Sequence, residues 1–267
     1  MFYEAMNIQL NNLQLSFTNL PKELDGLTVL HLSDLHIKKT GLLEQRAKKI
    51  ISENHYDICV ISGDLTTRAN WVEHIREMLG TYDIDRPVYV VPGNSEHKSW
   101  VNTSDIVSAF NKHEFITLIN DSITFEKNGK KITVVGMDDG YSRLHDVEKA
   151  FSEVKPDAFI VALSPCPSLT DKLINKNASL ILCGHTHGGQ IRFPGLGVIW
   201  SHMHKNKFLN DGLYLPEKLS KLLNMDIKES VLYVNRGLGT SRLHIRLNCR
   251  PEIAYITLRY SNKKSEL

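Results

Sequence analysis

The chain has 267 residues, of which 42% are hydrophobic and 23% charged, a composition typical of one globular α/β domain spanning residues 1–267. The net charge of +2 excludes the strongly basic character of a general nucleic-acid-binding protein. Strand-sized apolar runs and the opening segment MFYEAMNIQL predict neither a bilayer-spanning helix nor a secretory signal, so a cytoplasmic location is expected.

Apolar runs of strand length alternate with helix-like segments over the first 190 residues. The predicted strands are residues 27–32, 57–62, 88–91, 132–136, 158–163 and 180–183. The predicted helices are residues 42–53, 71–79, 104–112, 146–153 and 168–175. This alternation predicts a largely parallel sheet with helical crossovers.

The pattern changes after residue 190 to short strands and glycine-rich turns, with later strands predicted at 230–234 and 252–259. An amphipathic segment at 213–225 carries leucines on one side and lysines on another. Packing of this segment against the body of the protein and a role as a lid or membrane-contacting helix are both open. Two sheets packed face to face and flanked by helices fit the change of pattern.

Four short polar motifs directly follow apolar runs, so each lies where a predicted strand ends. They are SDLHI at 33–37, SGDLT at 62–66, PGNSEH at 92–97 and CGHTHGGQ at 183–190. Asp and His side chains are costly to gather in one buried cleft unless a cation compensates them. The motifs therefore predict a pair of metal ions. If the chain stays extended there, Asp34 and His36 project to the same side, and so do His185 and His187.

These motifs also resemble those of a known family, the calcineurin-like metallophosphoesterases, and the resemblance covers nearly the whole chain. The matching motifs, in order, are Asp34-x-His36, Gly63-Asp64, Gly93-Asn94 and Gly184-His185-x-His187. Residues 188–197, 233–241 and 248–253 resemble a branch related to YkuE-like phosphoesterases and UDP-2,3-diacylglucosamine hydrolases. The resemblance implies a four-layer αββα sandwich and a metal-dependent hydrolase of phosphoester or pyrophosphate bonds.

The resemblance also implies a set of metal ligands. One metal would be held by Asp34, His36, Asp64 and His187, and a second by Asp64, Asn94 and His185, with Asp64 bridging the two. Two such cations lower the pKa of a bridging water and stabilise the phosphoryl oxygens. The mixture of imidazole and carboxylate ligands favours manganese, iron, zinc or nickel over magnesium.

Two positions depart from the pattern of this family. Ser95 stands where the family usually has a histidine near the leaving group, and Pro165 stands where it usually has a histidine ligand of the second metal. The second site is therefore expected to bind more weakly, because proline offers no donor atom in its side chain.

Three repairs of these departures are open. His97 could act as the general acid, and Cys166 could enter as a thiolate ligand that favours zinc. His202 and His204 could reach the site from the loop after the last motif. For His97, the alternative is that it only orders the loop after Asn94.

The substrate is expected to be a small phosphorylated or nucleotide-diphosphate molecule, and a lipid-linked molecule of this kind is also open. Arg68 and Arg236 are candidate phosphate contacts because guanidinium presents a planar fork to paired oxygens, although both suit ordinary ion pairs equally well. The basic residues after position 190 could face an anionic substrate or lipid head groups, which leaves peripheral membrane contact open. The competing function is a catalytically weakened protein that binds a phosphorylated ligand or partner.

Overall fold

The computed structural model describes residues 4–80, 86–193, 197–198, 203, 205–241 and 243–262. Within these ranges the strands are β1 Gln9–Phe17, β2 Thr28–Leu32, β3 Ile58–Ser62, β4 Val88–Val91, β5 Phe115–Thr117, β6 Asp121–Lys127, β7 Lys130–Gly136, β8 Ile160–Ser164, β9 Leu180–Cys183, β10 Arg192–Phe193, β11 Gly197–Val198, β12 Gly212–Tyr214, β13 Val231–Val234 and β14 Glu252–Tyr260. The α-helices are α1 Leu42–Ser52, α2 Val72–Leu79, α3 Thr103–Lys112, α4 Val147–Ala150, α5 Thr170–Asn175 and α6 Pro216–Leu223.

Most of the strands form two mixed sheets. In the described part of the chain, the first sheet has the order β1-β14-β2-β3-β4-β5 and the second has the order β12-β13-β9-β8-β7-β6. In the first sheet, β2 to β5 run parallel, while β14 runs antiparallel to β2 and parallel to β1. In the second sheet, β13, β9, β8 and β7 run parallel, and the edge strands β12 and β6 are antiparallel to their neighbours.

The side chains of both sheets separate into an inner core and two outer cores. Val60 and Val91 of the first sheet share the inner core with Val134 and Val161 of the second. The outer face of the first sheet packs on α1, α2 and α3, and the outer face of the second sheet packs on α4, α5 and α6. The predicted αββα sandwich is therefore confirmed.

The helices and edge strands of the structure differ from the predicted elements in length and in number. The helix predicted at 146–153 is only the short α4, whereas α6 lies inside the amphipathic segment and packs Leu219 in an outer core. The apolar pattern does not reveal β1 and β6. Exposed residues interrupt the apolar residues of both strands, because each strand lies at a sheet edge. None of the helices in the described ranges has the length and apolar character needed to cross a bilayer.

Candidate metal centre

The four polar motifs lie at one end of the sandwich. They follow β2, β3 and β4 of the first sheet and β9 of the second, whose final residues are given by the strand bounds above. Backbone hydrogen bonds join the first two loops, because the Asp34 amide donates to the Gly63 carbonyl and the His36 amide donates to the Asp64 carbonyl, both at 3.0 Å. The strand ends thus bring the predicted ligands of separate motifs together.

The backbone at these loops is left-handed, so the expectation of an extended chain is wrong. Asp34, His36, Asp64, His185 and His187 have φ angles of 47°, 45°, 55°, 73° and 48°. For residues with a Cβ atom this conformation costs about 1–2 kcal/mol each. Strain of this kind persists where the surrounding structure imposes it and is concentrated at functional sites. The side chains of Asp34 and His36 therefore meet through a sharp local turn rather than through strand alternation.

A carboxylate and two imidazoles form the closest group of possible metal ligands. Donor atoms of Asp34, His36 and His187 all lie within 4.8 Å of one another. The two histidine rings are stacked at 5.1 Å between centroids, and their Nε2 atoms are 3.2 Å apart. His187 Nε2 is 3.6 Å from Asp34 Oδ1. This donor set suits a transition-metal cation.

Asp64, Asn94 and His185 form a second group in the same cleft. Asp64 Oδ1 accepts a hydrogen bond of 2.7 Å from the Ser95 amide, and its Oδ2 lies 3.9 Å from His185 Nδ1. Within the described residues, the buried atoms Asn94 Oδ1 and His185 Nε2 have no hydrogen-bond partner. Buried polar atoms rarely go unpaired, and an amide oxygen and an imidazole nitrogen are both metal donors. This group therefore also fits a divalent cation.

The carboxylates at this end of the sandwich are poorly compensated by the protein itself. Burial, and after it repulsion from Asp64, raises the pKa of Asp34 well above its ordinary value. The same two causes raise the pKa of Glu96 to about 8. Burial lowers the pKa of His36, which favours the neutral imidazole that binds metals. Cations between the carboxylates would remove this electrostatic cost.

Two glycines are required here by close approach to the carboxylates. A Cβ atom on Gly184 would lie 1.6 Å from Ser33 Oγ and 2.4 Å from Asp34 Oδ2. A Cβ atom on Gly93 would lie 2.5 Å from Asp64 Oδ1. The glycines that precede His185 and Asn94 therefore create the space that the carboxylates occupy.

Glu96 is a site residue that the sequence analysis did not identify. Its buried carboxylate accepts hydrogen bonds from the amides of Thr66 at 2.8 Å and Gly93 at 2.7 Å, and from Ser95 Oγ at 3.0 Å. These bonds tie the loop after β3 to the loop after β4. An acidic residue in the motif PGNSEH was the available signal, but nothing in the sequence shows that it is buried.

The two groups share one cleft of about 840 Å³. His36, Asp64, Asn94, His185 and His187 line this cleft directly. Asp34 is fully buried behind them, where it accepts hydrogen bonds from Ser33 Oγ at 2.6 Å and from the His185 amide. The six predicted ligands thus lie at or directly beneath one open surface.

His97 is turned toward a different partner. Its Nε2 lies 2.7 Å from Asp138 Oδ1, and this hydrogen bond raises the pKa of His97. The cleft is lined by its neighbours Ser95 and Lys98 but not by His97. The role of His97 as general acid stays a prediction.

Replacing His97 tests that role. If it donates the proton to the leaving group, His97→Ala lowers turnover by about a hundredfold or more on substrates with poor leaving groups, and far less on nitrophenyl esters. Asp138→Asn, which removes the negative charge beside His97, should give a weaker loss with the same dependence on the leaving group. Turnover of a leaving-group series is the measurement. Equal losses across the series would contradict the acid role and support ordering of the loop after Asn94.

The predicted arginines lie in local contacts outside the cleft lining. Arg68 is exposed and stacks over the Trp71 ring at 4.9 Å. Arg236 forms an ion pair with Glu252. Their proposed contacts with phosphate stay predictions.

Of the repairs considered for the second site, the described residues bear only on the one through Cys166. Pro165 packs against Gly63, and its carbonyl accepts a hydrogen bond of 3.3 Å from the Gly184 amide. Burial raises the pKa of the Cys166 thiol to about 11, which disfavours the thiolate. His202 and His204 lie outside the described residues.

Comparisons with known proteins agree with this geometry. A family model described as calcineurin-like phosphoesterase matches residues 27–189, a range that holds all six predicted ligands. Among curated relatives, YkuE, an uncharacterized metallophosphoesterase of Bacillus subtilis, is 28% identical over 91% of this chain and 82% of its own length. YpbG of the same organism is 27% identical over 87% of this chain and 81% of its own length.

A relative with an assigned activity is the UDP-2,3-diacylglucosamine pyrophosphatase LpxG of Chlamydia trachomatis. It is 26% identical to this chain and the match covers 91% of this chain and 87% of LpxG. The family match spans more than half of the chain and includes the first three polar motifs and all of the fourth except Gln190. The chain is therefore a member of the calcineurin-like phosphoesterase family.

Proposed function

We propose that the chain hydrolyses a phosphoester or pyrophosphate bond of a small substrate with the help of two divalent cations. Membership in the calcineurin-like phosphoesterase family makes the chain a hydrolase. What is proposed in addition is the type of bond that it cleaves and the number of cations that assist. The observation that carries it is the convergence of Asp34, His36 and His187 within 4.8 Å of one another. Asp64 and His185 lie beside them in the same cleft.

The residues divide between two cation sites. Asp34, His36 and His187 would hold one cation, Asn94 and His185 would hold the other, and Asp64 would contact both. When bound, such a pair supplies Lewis acidity that activates water and neutralises charge on the phosphoryl oxygens. Manganese, iron, zinc and nickel all suit the donors.

The surrounding groups fix the orientation of the carboxylates. Ser33 Oγ and the His185 amide donate to Asp34, and the Ser95 amide donates to Asp64 Oδ1, which leaves Oδ2 directed toward His185. Because these donors are themselves part of the strand-end loops, the carboxylates are held in place before any substrate binds. The protein thus supplies a preorganised anionic pocket.

The substrate class is supported by the cleft and by one relative. Lys38, Lys39 and Lys98 line the cleft next to the candidate ligands and offer positive charge to a phosphate or diphosphate. LpxG is named for the cleavage of a nucleotide-diphosphate sugar that carries acyl groups. We therefore propose a small phosphorylated or nucleotide-diphosphate substrate, which includes lipid-linked molecules. Residues 1–267 would form a single domain that acts in the cytoplasm. Peripheral contact with a membrane stays open.

One observation favours the competing function, a protein that binds a phosphorylated ligand without efficient turnover. Pro165 lies against Gly63 at the site and offers no side-chain donor, and burial raises the pKa of Cys166, which disfavours its thiolate. Loss of one ligand would weaken the second cation site and with it the chemistry.

Metal content and hydrolysis separate the two functions. The Mn²⁺-loaded chain is expected to hold two equivalents of metal and to cleave aryl phosphate monoesters or diesters. Titration with a chelator should release the metal in two steps, because the site with Asn94 and His185 has fewer protein donors. Elemental analysis and product release at each step are the measurements. One equivalent or none, with no cleavage of either ester, would favour the binding protein.

A further inference from the structure

Three large apolar side chains in the lining of the cleft are open to solvent. Met6, Leu42 and Trp100 all line the cleft, and their exposed fractions are 38%, 53% and 65%. Large apolar side chains that are this exposed and lie together on a concave surface usually mark a binding site. These three residues are called the wall. Binding of a phosphate group does not explain why apolar side chains line the cleft.

The chain holds the wall in place from separate elements. Arg46 of α1 donates a hydrogen bond of 2.6 Å to the Met6 carbonyl, so the segment before β1 is fixed against the helix that begins with Leu42. Lys98 Nζ lies over the Trp100 ring at 5.5 Å from its centroid. Met6 and Trp100 are thus each tied to a neighbouring basic residue of the fold.

Positive charge lies in the same cleft as the wall and the candidate ligands. Lys38 and Lys39 are exposed and line the cleft just before α1, and Lys98 lines it just before Trp100. The cleft thus combines an anion-binding part with an apolar part.

The volume of the cleft leaves room for a ligand larger than a phosphate group. At about 840 Å³ it has the size of pockets that enclose whole organic molecules. We propose that the wall of Met6, Leu42 and Trp100 binds an alkyl or acyl chain of the substrate while its phosphate lies at the lysines and the cation sites. The substrate class, which rests on the proposed function, is then a phosphorylated amphiphile taken up as a single molecule.

Binding of alkylphosphonates tests this inference without turnover, because their carbon–phosphorus bond is not a phosphoester. The probes are n-alkylphosphonates from butyl to octyl, below their micelle concentrations, titrated calorimetrically into the Mn²⁺-loaded chain. We expect affinity to rise about twofold per added methylene, half of the free-energy gain for complete burial. In the double variant Leu42→Ala/Trp100→Ala, the rise from butyl to octyl should shrink to about threefold or less.

Leu144→Ala is the matched control, because Leu144 is similarly exposed at 44% but does not line the cleft. This variant should keep the full dependence on chain length. Equal affinities across the series in the parent, no binding at all, or an unchanged dependence in the double variant would overturn the inference. If aryl phosphates are cleaved but phosphonate affinity ignores chain length, only the apolar subsite is wrong. If chain length matters but no ester is cleaved, the proposed hydrolysis is wrong and the subsite stands.

Discussion

Asp64→Asn is expected to abolish phosphoester hydrolysis while leaving the fold intact. The amide keeps the size of the carboxylate but removes its negative charge from the position proposed between two cations. Asparagine also adopts the left-handed backbone that Asp64 has at φ 55°, so no new strain is introduced. Turnover and metal content of the purified variant are the measurements. Retention of more than about a tenth of the parent turnover, a barrier change below roughly 1.4 kcal/mol, would remove Asp64 from the bridging role.

The stability of the metal-free variant gives an independent readout. Repulsion from Asp64 contributes to the raised pKa of both Asp34 and Glu96, so a neutral residue at 64 relieves a cost in the folded state. We expect the metal-free variant to be at least as stable as the metal-free parent. Asp57→Asn is the matched control: Asp57 is buried, accepts a hydrogen bond of 2.7 Å from the Thr28 amide and pairs with Lys127 away from the cleft. It should lose about 1–3 kcal/mol of stability and keep its turnover.

Gly184→Ala is expected to destroy the candidate metal centre by displacing Asp34, its most buried candidate ligand. The added methyl group would lie 1.6 Å from Ser33 Oγ and 2.4 Å from Asp34 Oδ2, distances that force both groups to move. Overpacking of this kind costs about 1–3 kcal/mol or more in folding free energy. Asp34 would also lose its alignment with His187. Because a misplacement of about 1 Å in an active site can lower the rate about a hundredfold, we expect turnover to fall by about that factor or more.

Gly129→Ala serves as the control for this substitution. Gly129 has a positive φ of 71°, but nothing lies within 4 Å of the position that its Cβ would occupy. The control should lose about 1 kcal/mol from backbone strain and retain full activity and metal content. Thermal unfolding, elemental analysis and turnover are compared for both variants. A Gly184→Ala protein that binds metal and turns over like the control would show that the loop yields without moving Asp34.

The interior of the fold was predictable because interior strands are apolar on both faces. The strands around Val60 and Val161, for example, stand out as continuous apolar runs. The edge strands β1 and β6 were missed since half of their side chains face outward and interrupt such runs. The insertion of β14 between β1 and β2 was also beyond prediction, because strand pairing depends on contacts distant in sequence.

The identity of the candidate ligands was predictable from their motifs, but their geometry was not. The turns at Asp34 and His36 are held by hydrogen bonds that their amides donate to another loop. No local sequence pattern encodes these bonds. The burial of Glu96 and the pairing of His97 with Asp138 likewise depend on neighbouring loops. Composition and spacing indicate which groups can bind a metal, and only the packed loops decide how those groups face one another.

The position of β14 also determines when this sheet can form during synthesis on the ribosome. In the described part of the chain β14 is the neighbour of β1, whose Gln9 pairs with Glu252. β1 must therefore wait for β14, which is synthesised much later, and the flank of β2 stays open until then. Contacts this distant in sequence slow folding. Because Asp34 directly follows β2, we expect the loop that carries Asp34 to be fixed in place only after β14 has paired with β2.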